Sequence, residues 1–115
     1  MEKDKKIVAV VGSRGIVKCA ALTARLAELA PDQVVSGGAA GVDTLAAAWA
    51  RTNGVALVEL RPDYAAHGPT AATHVRNAEI VRRASLVLVV WDGKSKSTLK
   101  AARRLGRRSE LLPLD

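Results

Sequence analysis

Lys6-Ile7-Val8-Ala9-Val10-Val11 runs directly into Gly12-Ser13-Arg14-Gly15, and the reading of that junction decides the fold. Six residues that are almost all apolar, with no polar alternation, suit a central parallel strand buried on both faces. Beyond the turn, Ile16 to Leu29 repeats apolar residues at helical spacing through Val17, Ala20, Ala21, Ala24 and Ala27, and Pro31-Asp32 stops the helix. A strand, a glycine-bearing turn and a helix make the first unit of an alternating chain.

The same unit recurs downstream. Gln33 to Ser36 is a short strand, and Ser36-Gly37-Gly38-Ala39-Ala40-Gly41-Val42-Asp43 leads into an Ala-rich helix over Val42 to Thr52. That helix has an inner stripe of Val42, Leu45, Ala46, Trp49 and Ala50, and Asn53-Gly54 suits a left-handed cap. Val55 to Leu60 reads as strand three, and Arg61 to Pro69 as the longest irregular stretch. Thr70 to Arg83 has helical spacing through Val75, Ala78, Ile80, Val81 and Ala84. Ser85 to Val90 is the strongest strand pattern, Thr98 to Leu105 a helix with a basic face, and Glu110 to Leu114 a fifth strand. The connections are too long for hairpins, so the crossovers are right-handed and helices cover both faces of a parallel sheet.

At 115 residues the chain has the length of one domain, spanning 1–115. Aromatic residues make up 3 %, with no Phe, so the core must be built from Ala, Val, Leu and Ile. No apolar run approaches the ~20 residues of a membrane span, and a single cysteine, Cys19, fits a reducing cytoplasm. His67 and His74 are isolated, and no metal-ligand spacing is visible. The charge is uneven: residues 1–75 carry 8 basic and 7 acidic side chains, and residues 76–115 carry 10 and 4. Lys94, Lys96, Lys100, Arg103, Arg104, Arg107 and Arg108 supply the basic excess, which suits a polyanion, nucleic acid included, and equally a solvated helix face.

Three glycine- and serine-rich loops follow strands, and such loops gather where strand carboxyl ends meet helix amino ends. Backbone N–H groups and helix dipoles favour anions there. In the first, Gly12 allows a sharp turn, Ser13 offers a hydroxyl and Arg14 a bidentate grip. In the second, Ser36, Gly37, Gly38 and Gly41 leave room against the backbone, and Asp43 caps the helix or takes a ribose hydroxyl. The third, Asp92-Gly93-Lys94-Ser95-Lys96-Ser97-Thr98, offers hydroxyls and ammonium groups, with Trp91 before it as a packed residue or a surface for a base. Arg76-Asn77 lies inside a helix, where Asn is unfavourable and needs a partner. Neither G-x-G-x-x-G nor G-x-x-x-x-G-K-[ST] can be laid on any loop, because Leu88 stands where the second pattern needs Gly. That disfavours a dinucleotide-dependent oxidoreductase and a Walker-type triphosphatase.

In their order, these pieces resemble the SLOG superfamily: a strand ending in Gly12-Ser13-Arg14, then V-x-S-G-G-A-x-G-x-D, Arg76-Asn77, and D-G-x-S-x-[GS]-T before a basic helix. That group includes small YspA-like proteins, the DNA-processing protein A and the LOG-type phosphoribohydrolases. The resemblance runs from about Ile7 to Leu112. It implies a small doubly wound, Rossmann-like α/β sandwich of five parallel strands, expected in the order 3-2-1-4-5. It also implies a site for nucleotides, nucleotide derivatives or nucleic acid at the carboxyl edge.

By position, Gly12, Ser13, Arg14, Ser36, Gly37, Gly38, Gly41, Asp43, Arg76, Asn77, Asp92, Gly93, Ser95 and Thr98 fall on that site. Ser97 replaces a usual Gly, and the Glu that phosphoribohydrolases carry after the Gly-Thr pair is missing. The expectation is therefore a ligand-binding domain for a phosphorylated small molecule, with no cofactor and no metal, whose Ala-rich helices suit a homodimer. A nucleic-acid binder is one rival. The other is a nucleotide hydrolase drawing on Asp43, Glu59, Asp92, His67 and His74.

Overall fold

The computed structural model describes the backbone of residues 6–12, 15–38, 40–91 and 109–113. β1 (Ile7–Gly12), β2 (Gln33–Ser36), β3 (Ala56–Glu59), β4 (Leu86–Trp91) and β5 (Ser109–Pro113) form one sheet in the order β3-β2-β1-β4-β5. Every neighbouring pair is parallel, with Ala9 opposite both Val35 and Val87 in the centre. The described helices are α1 (Ala20–Leu29), α2 (Val42–Thr52) and α3 (Tyr64–Arg83). The sheet order and parallel sense are those expected from the sequence. The expected helix over Thr98 to Leu105 lies outside the described residues.

Alternation along each central strand sends its side chains to two separate cores. Val8, Val10, Val34, Leu88 and Val90 pack with Leu22 and Leu26 of α1 and Val42, Ala46 and Ala50 of α2. Ala9, Val35, Val87 and Val89 face the other way, onto Ile80 of α3 and Ala84 just after it. Each fully buried Val or Leu contributes roughly 1.5–3 kcal/mol by leaving water. Both faces of the sheet are thereby closed, which is why these strands are apolar without a break.

Two local departures have clear causes. α1 begins at Ala20 rather than Ile16, with Cys19 extended at φ −159°. Ile16 and Cys19 reach the core from this extended lead, while Val17 between them is exposed. Arg61 to Pro69 is not wholly irregular, for Asp63 accepts from the Ala66 N–H at 3.0 Å and caps a helical turn beginning at Tyr64. Gly68, at φ 81° and ψ 176°, breaks that turn from the main helix, which Pro69 then opens.

The sheet's rim is pinned by charge. Arg25 of α1 donates through Nε and Nη2 to the two carboxylate oxygens of Glu110 in β5, at 2.7 and 2.9 Å. The hydrogen bond to Glu110 raises the Arg25 pKa further above its ordinary value, against a smaller opposing effect of burial.

Candidate functional site

β1 lies at the sheet's centre, with β2 and β3 on one side and β4 and β5 on the other. The strand ends that release the three glycine-rich loops are packed together. A Cβ added to Gly12 would stand 2.8 Å from Val42 Cγ2 and 2.9 Å from the Val90 carbonyl oxygen. The end of β1 thus touches both the start of α2 and the end of β4. Ser13, Arg14, Asp92, Gly93, Ser95 and Thr98 lie outside the described residues, as do Lys94, Lys96, Lys100, Arg103, Arg104, Arg107 and Arg108.

The second loop and α3 meet through Arg76. Its Nη1 donates to the Gly37 carbonyl at 2.9 Å and to the Leu60 carbonyl at 3.3 Å, while Nε donates to Asn77 Oδ1 at 2.7 Å. Gly37 and Leu60 immediately follow β2 and β3, so one guanidinium ties two strand ends to a helix. Asn77 is the brace that aims it, which gives this interior Asn its reason.

Arg76 faces inward because α3 is phased with Ala72, Arg76 and Ile80 toward the sheet, Ala72 and Ile80 being only 1 % exposed. Val75 and Ala78, expected on the inner stripe, are exposed. The reason is the need of the two strand-end carbonyls for a donor, which an apolar side chain could not supply.

Gly37 is small for a specific cause. Its missing Cβ would lie 2.8 Å from Arg76 Cζ and 2.9 Å from Asp43 Oδ2. A carboxylate and a guanidinium therefore press on the same point, and Gly37 itself is buried beneath them. Gly38 remains partly exposed at φ +71°, and Arg61 lies over it, donating from Nη1 to its carbonyl at 3.3 Å. Gly41 also needs its glycine, holding φ 74° as the N-cap of α2. Ser36 is fully buried, and its Oγ has no hydrogen-bond partner among the described residues. Asp43, in the first turn of α2, is 9 % exposed.

An open cleft of about 390 Å³ lies over this arrangement, lined by Gly37, Gly38, Arg61, Pro62, Tyr64 and Arg76. Arg61, Pro62 and Tyr64 were missed in the sequence. The signal available was their place directly after β3, in the longest connection at the same sheet edge. Trp91, half-buried at the end of β4 opposite Pro113, does not line the cleft.

A second hollow of about 200 Å³ shares Arg61 and Arg76 and is bordered by His67 and Glu79. Among the described residues no cluster of His, Cys, Asp or Glu fits a metal ion. Glu59, one of the acid–base candidates, pairs with Arg51 at 3.4 Å.

Glu79 pairs with Arg82 and with Arg83, the latter at 2.9 Å. The hydrogen bond from Arg83 holds its carboxyl below the ordinary Glu pKa, burial opposes this, and the charge of Arg82 adds to the lowering. A depressed pKa contributes stability above the unfolded value and loses it as pH falls through the folded one. Glu79→Gln should therefore lower the urea midpoint slightly at about pH 6, and the difference should be smaller at about pH 3, below the ordinary Glu range. Paired denaturation curves at the two pH values check this.

A parallel α/β sheet with glycine-rich strand-to-helix loops, and with arginines and an open cleft at its carboxyl edge, defines a Rossmann-like protein. The family model described as YAcAr, the YspA, cpYpsA-related SLOG family, matches residues 6–67, more than half of the chain. The chain belongs to that family. No curated protein and no solved structure matches it. Among the described residues no helix is long and apolar enough to cross a membrane.

Proposed function

We propose that this protein binds a nucleotide or a nucleotide-derived phosphate compound in the cleft between the β2–α2 loop, the segment after β3, and α3. The observation that carries the reading is the pair of guanidinium groups, Arg61 and Arg76, anchored on consecutive glycine carbonyls beside the amino end of an eleven-residue helix. Anchored arginines have lost most of their rotamer freedom before a ligand arrives, which lowers the cost of binding. Planar guanidinium groups suit phosphate oxygens, and the helix dipole adds to the attraction.

In this reading Arg61 and Arg76 take the phosphate, and the backbone around Gly38 and Ala40 gives it close approach. Asn77 and the Gly37 and Leu60 carbonyls hold Arg76 in place. Ser13, Arg14, Ser95 and Thr98 belong to the loops that leave the adjoining strand ends and would complete the anion site. Calorimetric titration with adenosine mono- and diphosphate and ADP-ribose is the direct test. Dissociation constants in the micromolar to sub-millimolar range are expected, and absence of binding at millimolar ligand would overturn the reading.

A further inference from the structure

Phosphate binding leaves one feature of the cleft unused. Tyr64 is the chain's only tyrosine, and there is no Phe. In a protein so poor in aromatic rings, an isolated Tyr is expected to serve the core. Tyr64 instead is 51 % exposed and lines the same cleft as Pro62 and the two arginines.

Its position is set by local structure. Asp63 caps the turn through the Ala66 N–H, and the His67 N–H donates to the Asp63 carbonyl at 3.1 Å. The ring therefore projects from a closed helical turn rather than from an open connection. Holding an apolar face against water has no folding benefit, whereas a flat ring beside cations suits a flat, electron-rich ligand with an anionic end.

Resting on the nucleotide reading above, we infer that the ligand carries an aromatic base, that Tyr64 with Pro62 is the platform for that base, and that the phosphate points toward Arg61 and Arg76. The ligand class is then a nucleoside phosphate rather than a sugar phosphate. The base contributes affinity by stacking, a contribution indifferent to hydrogen-bonding pattern and open to either purines or pyrimidines.

Because the tyrosine is unique, its ring protons can be followed by proton NMR without competition from other Tyr or Phe signals. Adenosine 5′-monophosphate is expected to shift those resonances upfield, while ribose 5-phosphate binds more weakly and leaves them in place. Tyr64→Ala should weaken adenosine 5′-monophosphate about tenfold and leave ribose 5-phosphate unchanged. Tyr64→Phe, which keeps the ring, should bind adenosine 5′-monophosphate as the parent does.

Binding of adenosine 5′-monophosphate with unmoved Tyr64 signals, or with affinity equal to that of ribose 5-phosphate, overturns the platform and leaves the nucleotide site standing. Failure of both compounds to bind overturns the site and the platform together. Should Tyr64→Ala unfold the chain, the ring shifts and the Tyr64→Phe titration decide the matter alone.

Discussion

Arg76→Ala is expected to weaken nucleotide binding by about a hundredfold, the largest effect of any single change at the cleft. The guanidinium does two jobs at once. In the proposed binding mode it offers charge to the ligand, where a charged hydrogen bond contributes about 1.5–3 kcal/mol. It also supplies the donor for the Gly37 and Leu60 carbonyls. Truncation leaves these carbonyls to find water and removes the positive charge from beside the Asp43 carboxylate, so a stability loss of about 1–3 kcal/mol should accompany the affinity loss.

Arg76→Lys separates the two roles. An ammonium keeps the charge but cannot reach Asn77 Oδ1 and two carbonyls from one rigid fork. Lysine should therefore recover part of the affinity and little of the stability. Calorimetry and urea denaturation on the same preparations measure both quantities. Unaltered binding by a folded Arg76→Ala protein would remove this residue from the site.

Gly12→Val should be the most damaging change to the fold outside the cleft, at about 3 kcal/mol, with a fall in Tm of about 15 °C. The added Cβ alone would stand 2.9 Å from the Val90 carbonyl oxygen and 2.8 Å from Val42 Cγ2. The Val42 methyl has little room because the residue is fully buried. The carbonyl belongs to the backbone of β4, directly across the ladder from Gly12. Relief requires separating two central strands, so the cost falls on the sheet.

Gly54→Ala is the matched control. Gly54 has φ +65° and nothing within 4 Å of its would-be Cβ, so only the left-handed backbone conformation is penalised, by about 1 kcal/mol. Thermal unfolding of the two variants beside the parent protein tests whether close packing, rather than glycine content, decides the difference.

Much of the architecture is legible in the sequence. β2 and α2 occupy the residues read from the pattern, and the remaining described strands shift by a residue or two. Lys6 to Val11 and Ser85 to Val90 carry no polar residue within the strand core, and a segment apolar on both faces has few places to go other than the middle of a covered sheet. The importance of Gly37, Gly38 and Arg76-Asn77 was also visible as residue types out of keeping with their surroundings.

The roles of those residues were not visible. Room at Gly37 was read as space for phosphate, but in the folded chain that space is held by Arg76 and Asp43. The arginine fills it because α3 crosses the ends of β2 and β3, and no local pattern records that crossing. Tyr64 likewise sat in a stretch whose capped turn was hidden by Pro62, Gly68 and Pro69, residues that usually mark irregular chain.

By itself, then, the sequence determined the layered α/β sheet and its alternation, since burial of apolar runs depends on composition and period alone. Tertiary structure decided which glycine makes way for which arginine and which ring stands free. Those choices depend on carbonyl groups left without donors by strands far apart in the chain, and such needs exist only once the strands lie side by side.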